Sequence, residues 1–254
     1  AKYVEAQIVY CLNELQEFTG AQISEEQLRE GRRENARAVV NFMRLCELVA
    51  RSDPLALSQA DISLVFWLMN PLVHRQEADT VQVTLIDEIQ ERGKQGKGIL
   101  PKGLPRVYYT LVAGSDPSLI KIIEEIGISI PLAWYNWLPP AERVPGAKEW
   151  AASVAEGYLR KGPFCSAYGS IEYYKTFLKE WNFDGLILGY PQNCRNMCAP
   201  ALIGKKDIEE TMGLPVLLLE GDYYDSRNWS AEQARTRIEA FREMLLSRRD
   251  ETPA

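Results

Sequence analysis

The sequence predicts an α/β protein, a doubly wound parallel sheet with helices on both faces, preceded by a helical region. Three observations predict it. From residue 99 onward, short apolar runs of strand length alternate with helical periods, which is the mark of repeated β-α-β units. Those runs are apolar along their length, as strands buried on both faces of a parallel sheet are. Before that point every apolar spacing is helical, and a Gly-rich basic joint, Gly93-Lys94-Gln95-Gly96-Lys97-Gly98, separates the two parts. The expected division is a helical region over 1–98 and an α/β domain over 99–254.

Taken in order, Val4, Ile8, Cys11, Leu15 and Phe18 fall on one helical face, and Gly20 stands where a helix commonly ends. Ser24-Glu25-Glu26-Gln27 has capping-box spacing, and Val39, Phe42, Cys46 and Val49 form the stripe of the longer helix that follows. Cys11 and Cys46 lie in these stripes and read as small buried hydrophobes. A third helix opens at Ser58 with Ile62, Val65, Phe66 and Met69, and a fourth carries Val81, Leu85 and Ile89, with His74 in the loop between them. After the joint come strand 106–112, helix 118–126, strand 128–133, helices near 149–159 and 170–181, and strand 185–189. Helix 199–212, strand 215–219 and helix 231–246 complete the run, the last capped by Ser230 and striped by Ala234, Ile238, Phe241 and Leu245.

Composition narrows the function classes. A net charge of −6 without a basic stripe argues against a nucleic-acid partner, whose phosphates call for clustered Lys and Arg. No apolar run is long enough to cross a bilayer and no signal peptide opens the chain, so a cytoplasmic location is expected. Five cysteines, an odd number with no secretion signal, fit a reducing compartment, and the single histidine excludes a His-rich metal site built from this chain. Metal chemistry here would rest on thiolates. Neither a Gly-x-Gly-x-x-Gly run nor a Gly-x-x-x-x-Gly-Lys-Ser/Thr loop is present, which leaves a nucleotide ligand unsupported.

In open parallel sheets ligands bind beyond the carboxyl ends of the strands, so function is sought in the segments that follow them. The first, Gly114-Ser115-Asp116-Pro117, is either a plain turn with its cap or a helix start that holds an anion. In the second, Trp134-Tyr135-Asn136-Trp137, aromatic rings and an amide either line a pocket or close an interface. The third, Tyr190-Pro191-Gln192-Asn193-Cys194-Arg195-Asn196-Met197-Cys198, places Cys194 past a strand end and ahead of a helix, beside Arg195. Positive charge and helix-end N–H groups favour a thiolate, the form that binds metal or attacks, and the spacing alone does not separate those two roles. Cys198 is four residues on, but two thiols are fewer than a cluster or zinc site needs. The fourth segment, Glu220-Gly221-Asp222 through Arg227, sets acids at another strand end; Gly221 permits close backbone approach, and the plain alternative is a solvated loop. The candidate catalytic residues are Glu220 and Ser115, with Gly114, Asn136, Asn193 and Arg195 as substrate contacts and Cys194 as a metal ligand. Cys165, between two helices, reads as structural.

Over nearly its whole length the chain resembles the carboxyl-terminal two thirds of subunits of the 2-hydroxyacyl-CoA dehydratase and benzoyl-CoA reductase family. The resemblance is carried by Leu15-Gln16-Glu17-Phe18-Thr19-Gly20 with Ile23 to Leu28, and by Pro105-Arg106-Val107 through Gly114-Ser115. Its most specific stretches are Asp184-Gly185-Leu186-Ile187 with Cys194 after it, and Pro215 to Asp222 followed by Arg237-Ile238-Glu239-Ala240-Phe241. It implies a [4Fe-4S] cluster held by three cysteines, the third at Cys194, and an acyl-CoA substrate. It also implies a homologous partner subunit and an ATP-dependent iron–sulfur activator that delivers one electron. In the dehydratases the resulting ketyl radical lets water leave; in the reductases an aromatic ring is reduced. Cys165 matches a family position that is not a ligand, and Cys198 has no assigned counterpart. The family's first two ligands belong to an amino-terminal α/β domain ahead of the matched part, and the chain opens on Ala1-Lys2-Tyr3 in mid-helix pattern without Met. The expectation is a truncated chain, the alternative a relative that lost its cluster. Two competing readings are a non-catalytic CoA- or anion-binding α/β module and a scaffold subunit beside a cluster-bearing partner.

Overall fold

The fold begins with four helices, and their ends follow local chemistry. Helix α1 (Lys2–Thr19) stops ahead of Gly20, whose φ of 68° is a left-handed value that favours glycine. Helix α2 (Glu25–Arg51) starts at the expected capping box: Ser24 Oγ accepts the Gln27 N–H at 3.2 Å while Gln27 Oε1 accepts the Ser24 N–H at 2.8 Å. Helix α3 (Gln59–Leu72) is capped by Ser58, which accepts the Ala60 N–H, and α4 (Gln76–Lys94) follows. The computed structural model describes residues 2–72, 76–110, 117–133, 151–152, 167–191, 194–221, 227 and 229–251. None of the helices described there is long and apolar enough to cross a membrane.

Two expectations about these helices are corrected. The stripe of α1 is not a core face: α1 contains no buried residue, Cys11 is exposed and Phe18 is 89 % exposed. An apolar period reports what a helix can bury, and here no described residue covers the seam. On α4 the buried residues are Gln82, Ile86 and Ile89, with Val81 exposed. The face is turned by one position because the polar Gln82 faces inward. By contrast α2 buries Phe42, Cys46 and Val49 as expected. His74 lies outside the described residues.

Then comes the alternating half: β1 (Arg106–Tyr109), α5 (Pro117–Glu125), β2 (Ser129–Ala133), α6 (Ala167–Glu180), β3 (Gly185–Pro191), α7 (Arg195–Met212), β4 (Val216–Gly221) and α8 (Ala231–Glu251). Among the described residues all three strand pairings are parallel, in the order β2-β1-β3-β4, and none before β1 enters the sheet. Helices cover both faces. A Cβ on Gly185 would meet Leu245 and Phe241 of α8, whereas one on Gly204 of α7 would meet Ile171 of α6 and Leu188 of β3. The doubly wound architecture is therefore as expected. A single apolar core runs from α2 and α3 into the sheet and α8, through Phe42, Ile62, Ile130, Ile187 and Ile238.

Strand and helix ends depart from expectation in one place that matters. Helix α7 begins at Arg195, not at 199, and runs through Pro200. The start is set by the Cys194 carbonyl, which accepts the N–H groups of Met197 (3.0 Å) and Cys198 (2.9 Å) and so closes the first turn ahead of the proline. The expected helix at 149–159 and Cys165 fall largely or wholly outside the described residues.

The amino edge of the sheet is held by one polar network. Asp184 accepts the Arg106 N–H at 2.7 Å and is gripped by Arg249 of α8 through Nε (2.9 Å) and Nη2 (2.7 Å). Arg249 also donates to the carbonyls of Gly103 and Leu104, and the half-buried Arg106 guanidinium donates to those of Ala50 and Ser52 at the end of α2. These bonds tie the helical part, the strand starts and the last helix together. The pairing with Asp184 raises Arg249 above the ordinary guanidinium value.

Candidate functional site at the carboxyl edge

The strand order fixes where a site should be. The chain passes from β1 to β2 on one side, then crosses back to β3 on the other, so the carboxyl ends of β1 and β3 flank a topological switch point. Strand β3 carries the chain to it. Its residues Gly185, Leu186, Ile187, Leu188 and Gly189 are all buried, and Gly185 is required because a Cβ there would lie 2.8 Å from Leu245 Cδ2 and 3.0 Å from the Pro215 carbonyl.

Cys194 stands three positions beyond the last residue of that strand. It is the N-cap of α7, with extended backbone (φ −109°, ψ 98°), and its side chain makes no capping hydrogen bond to the helix. The thiol is half-buried and is not consumed by the local fold. No acidic residue occupies the first turn of α7, so the positive end of the helix dipole is left uncancelled by its own turn, and Arg195 there is exposed.

Glu220 lies on the neighbouring strand. It is exposed near the carboxyl end of β4, in register with Tyr190 of β3, and Gly221 pairs with Pro191. Cys194 and Glu220 thus share one edge of the sheet. Ser115, Gly114, Asn136 and Asn193 lie outside the described residues, although β1 and β2, which precede the first three, end at the same edge. Tyr190 was given no role in the sequence reading. Burial pushes its phenol above the ordinary value, nearby Glu220 and then Cys198 add to the rise, and Arg237 opposes it. The one sequence signal for Tyr190 was its place at the end of an apolar run. Thr110, buried at the end of β1, was also missed, because a single hydroxyl in a strand run looks like ordinary strand composition.

The arrangement is suited to holding a soft metal centre by one thiolate and an anion by the helix end and Arg195. The site residues fit a single ligand and not a whole set: among the described residues no group of three His, Cys, Asp or Glu side chains could hold a metal ion. Cys46 is buried in the core at 2 % exposure, Cys11 stands on α1, and the thiol of Cys198 is bonded to the Pro191 carbonyl at 3.0 Å.

Comparison with known proteins adds a family. The model of the 2-hydroxyglutaryl-CoA dehydratase D-component matches residues 1–245. A putative dehydratase subunit, YjiM, of Escherichia coli strain K12 is 24% identical over 95% of this chain and 63% of its own length. The (R)-phenyllactyl-CoA dehydratase alpha subunit of Clostridium sporogenes is 21% identical over 98% of this chain and 60% of its own length. The alpha subunit of the (R)-2-hydroxyglutaryl-CoA dehydratase of Acidaminococcus fermentans is 20% identical over 96% of this chain and 50% of its own length. The chain therefore spans between one half and about two thirds of the length of these relatives.

Proposed function

The chain belongs to the 2-hydroxyglutaryl-CoA dehydratase D-component family, and from that premise we propose that it is one subunit of an enzyme that removes water from a 2-hydroxyacyl-CoA thioester, with Cys194 binding an iron–sulfur centre. The observation that carries the reading is the place of Cys194: an uncommitted, half-buried thiol at the N-cap of α7, beyond β3, at the switch point of a parallel sheet. Relatives named as alpha subunits support a partner subunit. The remaining ligands are supplied from outside the described residues, and an ATP-dependent iron–sulfur activator is the proposed electron donor.

When bound, a [4Fe-4S] centre supplies one low-potential electron to the thioester, which makes the 2-hydroxyl a leaving group. The residues of this chain do the rest. Cys194 Sγ would hold the centre, and its half-buried position would limit water there. Arg195 and the N–H groups of the first turn of α7 attract the phosphates of the CoA moiety. Glu220, exposed at the end of β4, holds or passes a proton at its carboxylate, and the Tyr190 phenol beside it stays protonated as a hydrogen-bond donor.

The test uses the intact protein, co-expressed with its partner subunit and purified without air. Iron and acid-labile sulfide are measured, followed by water loss from a panel of 2-hydroxyacyl-CoA thioesters after one-electron reduction. Brown, iron-loaded protein that converts at least one thioester is the expected result; colourless, folded, iron-free protein that leaves all of them unchanged contradicts the reading.

A further inference from the structure

Two side chains outside the site hold the segment that presents Cys194 from either end. At the strand end, Thr110 N–H donates to the Ile187 carbonyl at 2.9 Å, and the next rung of a parallel ladder would carry the Gly189 N–H to the Thr110 carbonyl. That rung is made instead to the Thr110 side chain: Oγ1 accepts the Gly189 N–H at 3.0 Å. The buried hydroxyl, 4 % exposed, thus takes the place of its own carbonyl where β1 and β3 part. At the helix end, the Pro191 carbonyl accepts two bonds. One comes from the Cys194 N–H at 3.2 Å, the other from the Cys198 thiol at 3.0 Å. Cys198 reaches back one turn of α7 to do so, its own N–H donating to the Cys194 carbonyl at 2.9 Å.

We propose that Cys198 is a positioning residue and not a ligand: its thiol, donating to the Pro191 carbonyl, acts with Thr110 at Gly189 as a two-point clamp that fixes the segment carrying Cys194. In this geometry the Cys198 sulfur is already engaged by the Pro191 carbonyl, one turn of α7 from Cys194. The inference rests on the reading of Cys194 as the site thiol, and its test has an arm that needs no cluster.

In iron-free intact protein, the rate of Cys194 alkylation by iodoacetamide is followed by peptide mass spectrometry. Cys198→Ala raises that rate about five-fold, the change in open population expected from one ordinary hydrogen bond, and lowers stability to urea by no more than that same bond. Cys198→Ser keeps a donor and brings the rate back toward the parent value. Thr110→Val gives the same rise from the other end, and Thr110→Ser reverses it, so the clamp remains testable if one alanine variant fails to fold. In anaerobically purified protein both Cys198 variants retain iron, which Cys194→Ser does not. Unchanged Cys194 alkylation in both Cys198→Ala and Thr110→Val overturns the clamp, and loss of iron from Cys198→Ser makes Cys198 a ligand instead. Iron-free parent protein would count against the proposed function while leaving the alkylation result to decide the clamp.

Discussion

The two edges of the four-stranded sheet are built from opposite kinds of chemistry. At the amino edge, Asp184, Arg249 and Arg106 spend their polar atoms on one another and on the carbonyls of Ala50, Ser52, Gly103 and Leu104, so charge there closes the fold. At the carboxyl edge the Cys194 side chain makes no capping bond, and Arg195 and Glu220 are exposed. The same strands thus anchor a closed polar network at one end and leave the Cys194 side chain without a capping bond at the other. Substitutions should therefore tell the two edges apart.

The largest effect on stability is expected from Asp184→Ala. It removes the acceptor of a two-pronged Arg249 grip and of the Arg106 N–H, and leaves a partly buried guanidinium without its carboxylate. The loss should be about 2–4 kcal/mol by urea unfolding, charge-assisted bonds being worth more than neutral ones and partial exposure screening some of it. A change under about 0.5 kcal/mol, the size of an ordinary surface substitution, would break the contrast between the edges. Gly185→Ala comes next, at about 1–3 kcal/mol, because the added methyl overlaps Leu245, Phe241 and the Pro215 carbonyl in a filled core. Cys194→Ser, at the other edge, should stay within about 0.5 kcal/mol of the parent, since its side chain caps nothing.

The smallest effect sharpens the amino-edge picture through pH. Glu124 of α5 accepts from Ser58 Oγ at 2.8 Å and 3.0 Å, joining the helical part to the α/β half, yet burial outweighs these bonds and raises its carboxyl above the ordinary value. The folded state then holds a proton that the unfolded chain has released, so stability falls as pH rises from the ordinary carboxylate value through the raised one. Glu124→Gln should flatten that slope in urea titrations run across the acidic range. An unaltered slope would assign it to another carboxylate.

What the sequence made legible follows from the range of the forces involved. Apolar runs such as Leu186 to Leu188 announce a parallel strand because burial on both faces writes itself into consecutive residues. The capping box at Ser24 is legible for the same reason, since its partners are three residues apart. The grip of Arg249 on Asp184 is not, because 65 residues separate the partners and nothing local marks either one. Exposure of Cys11 was equally hidden: the seam of Val4, Ile8, Cys11, Leu15 and Phe18 says that a face is apolar and nothing about what covers it. At the candidate site, Cys194 and Glu220 were legible from their place after strand runs. Thr110 was not, since its role depends on the strand beside it.

We propose the carboxyl edge as the reactive one and Cys194 as its metal-binding thiol. The most direct measurement is iron content and visible absorption of the intact, anaerobically purified protein in three single variants, Cys194→Ser, Cys11→Ser and Cys46→Ser. Cys194→Ser should lose iron and colour while remaining folded, and the other two should keep both. Full iron and an unchanged spectrum in Cys194→Ser, or their loss in Cys11→Ser or Cys46→Ser, would contradict it.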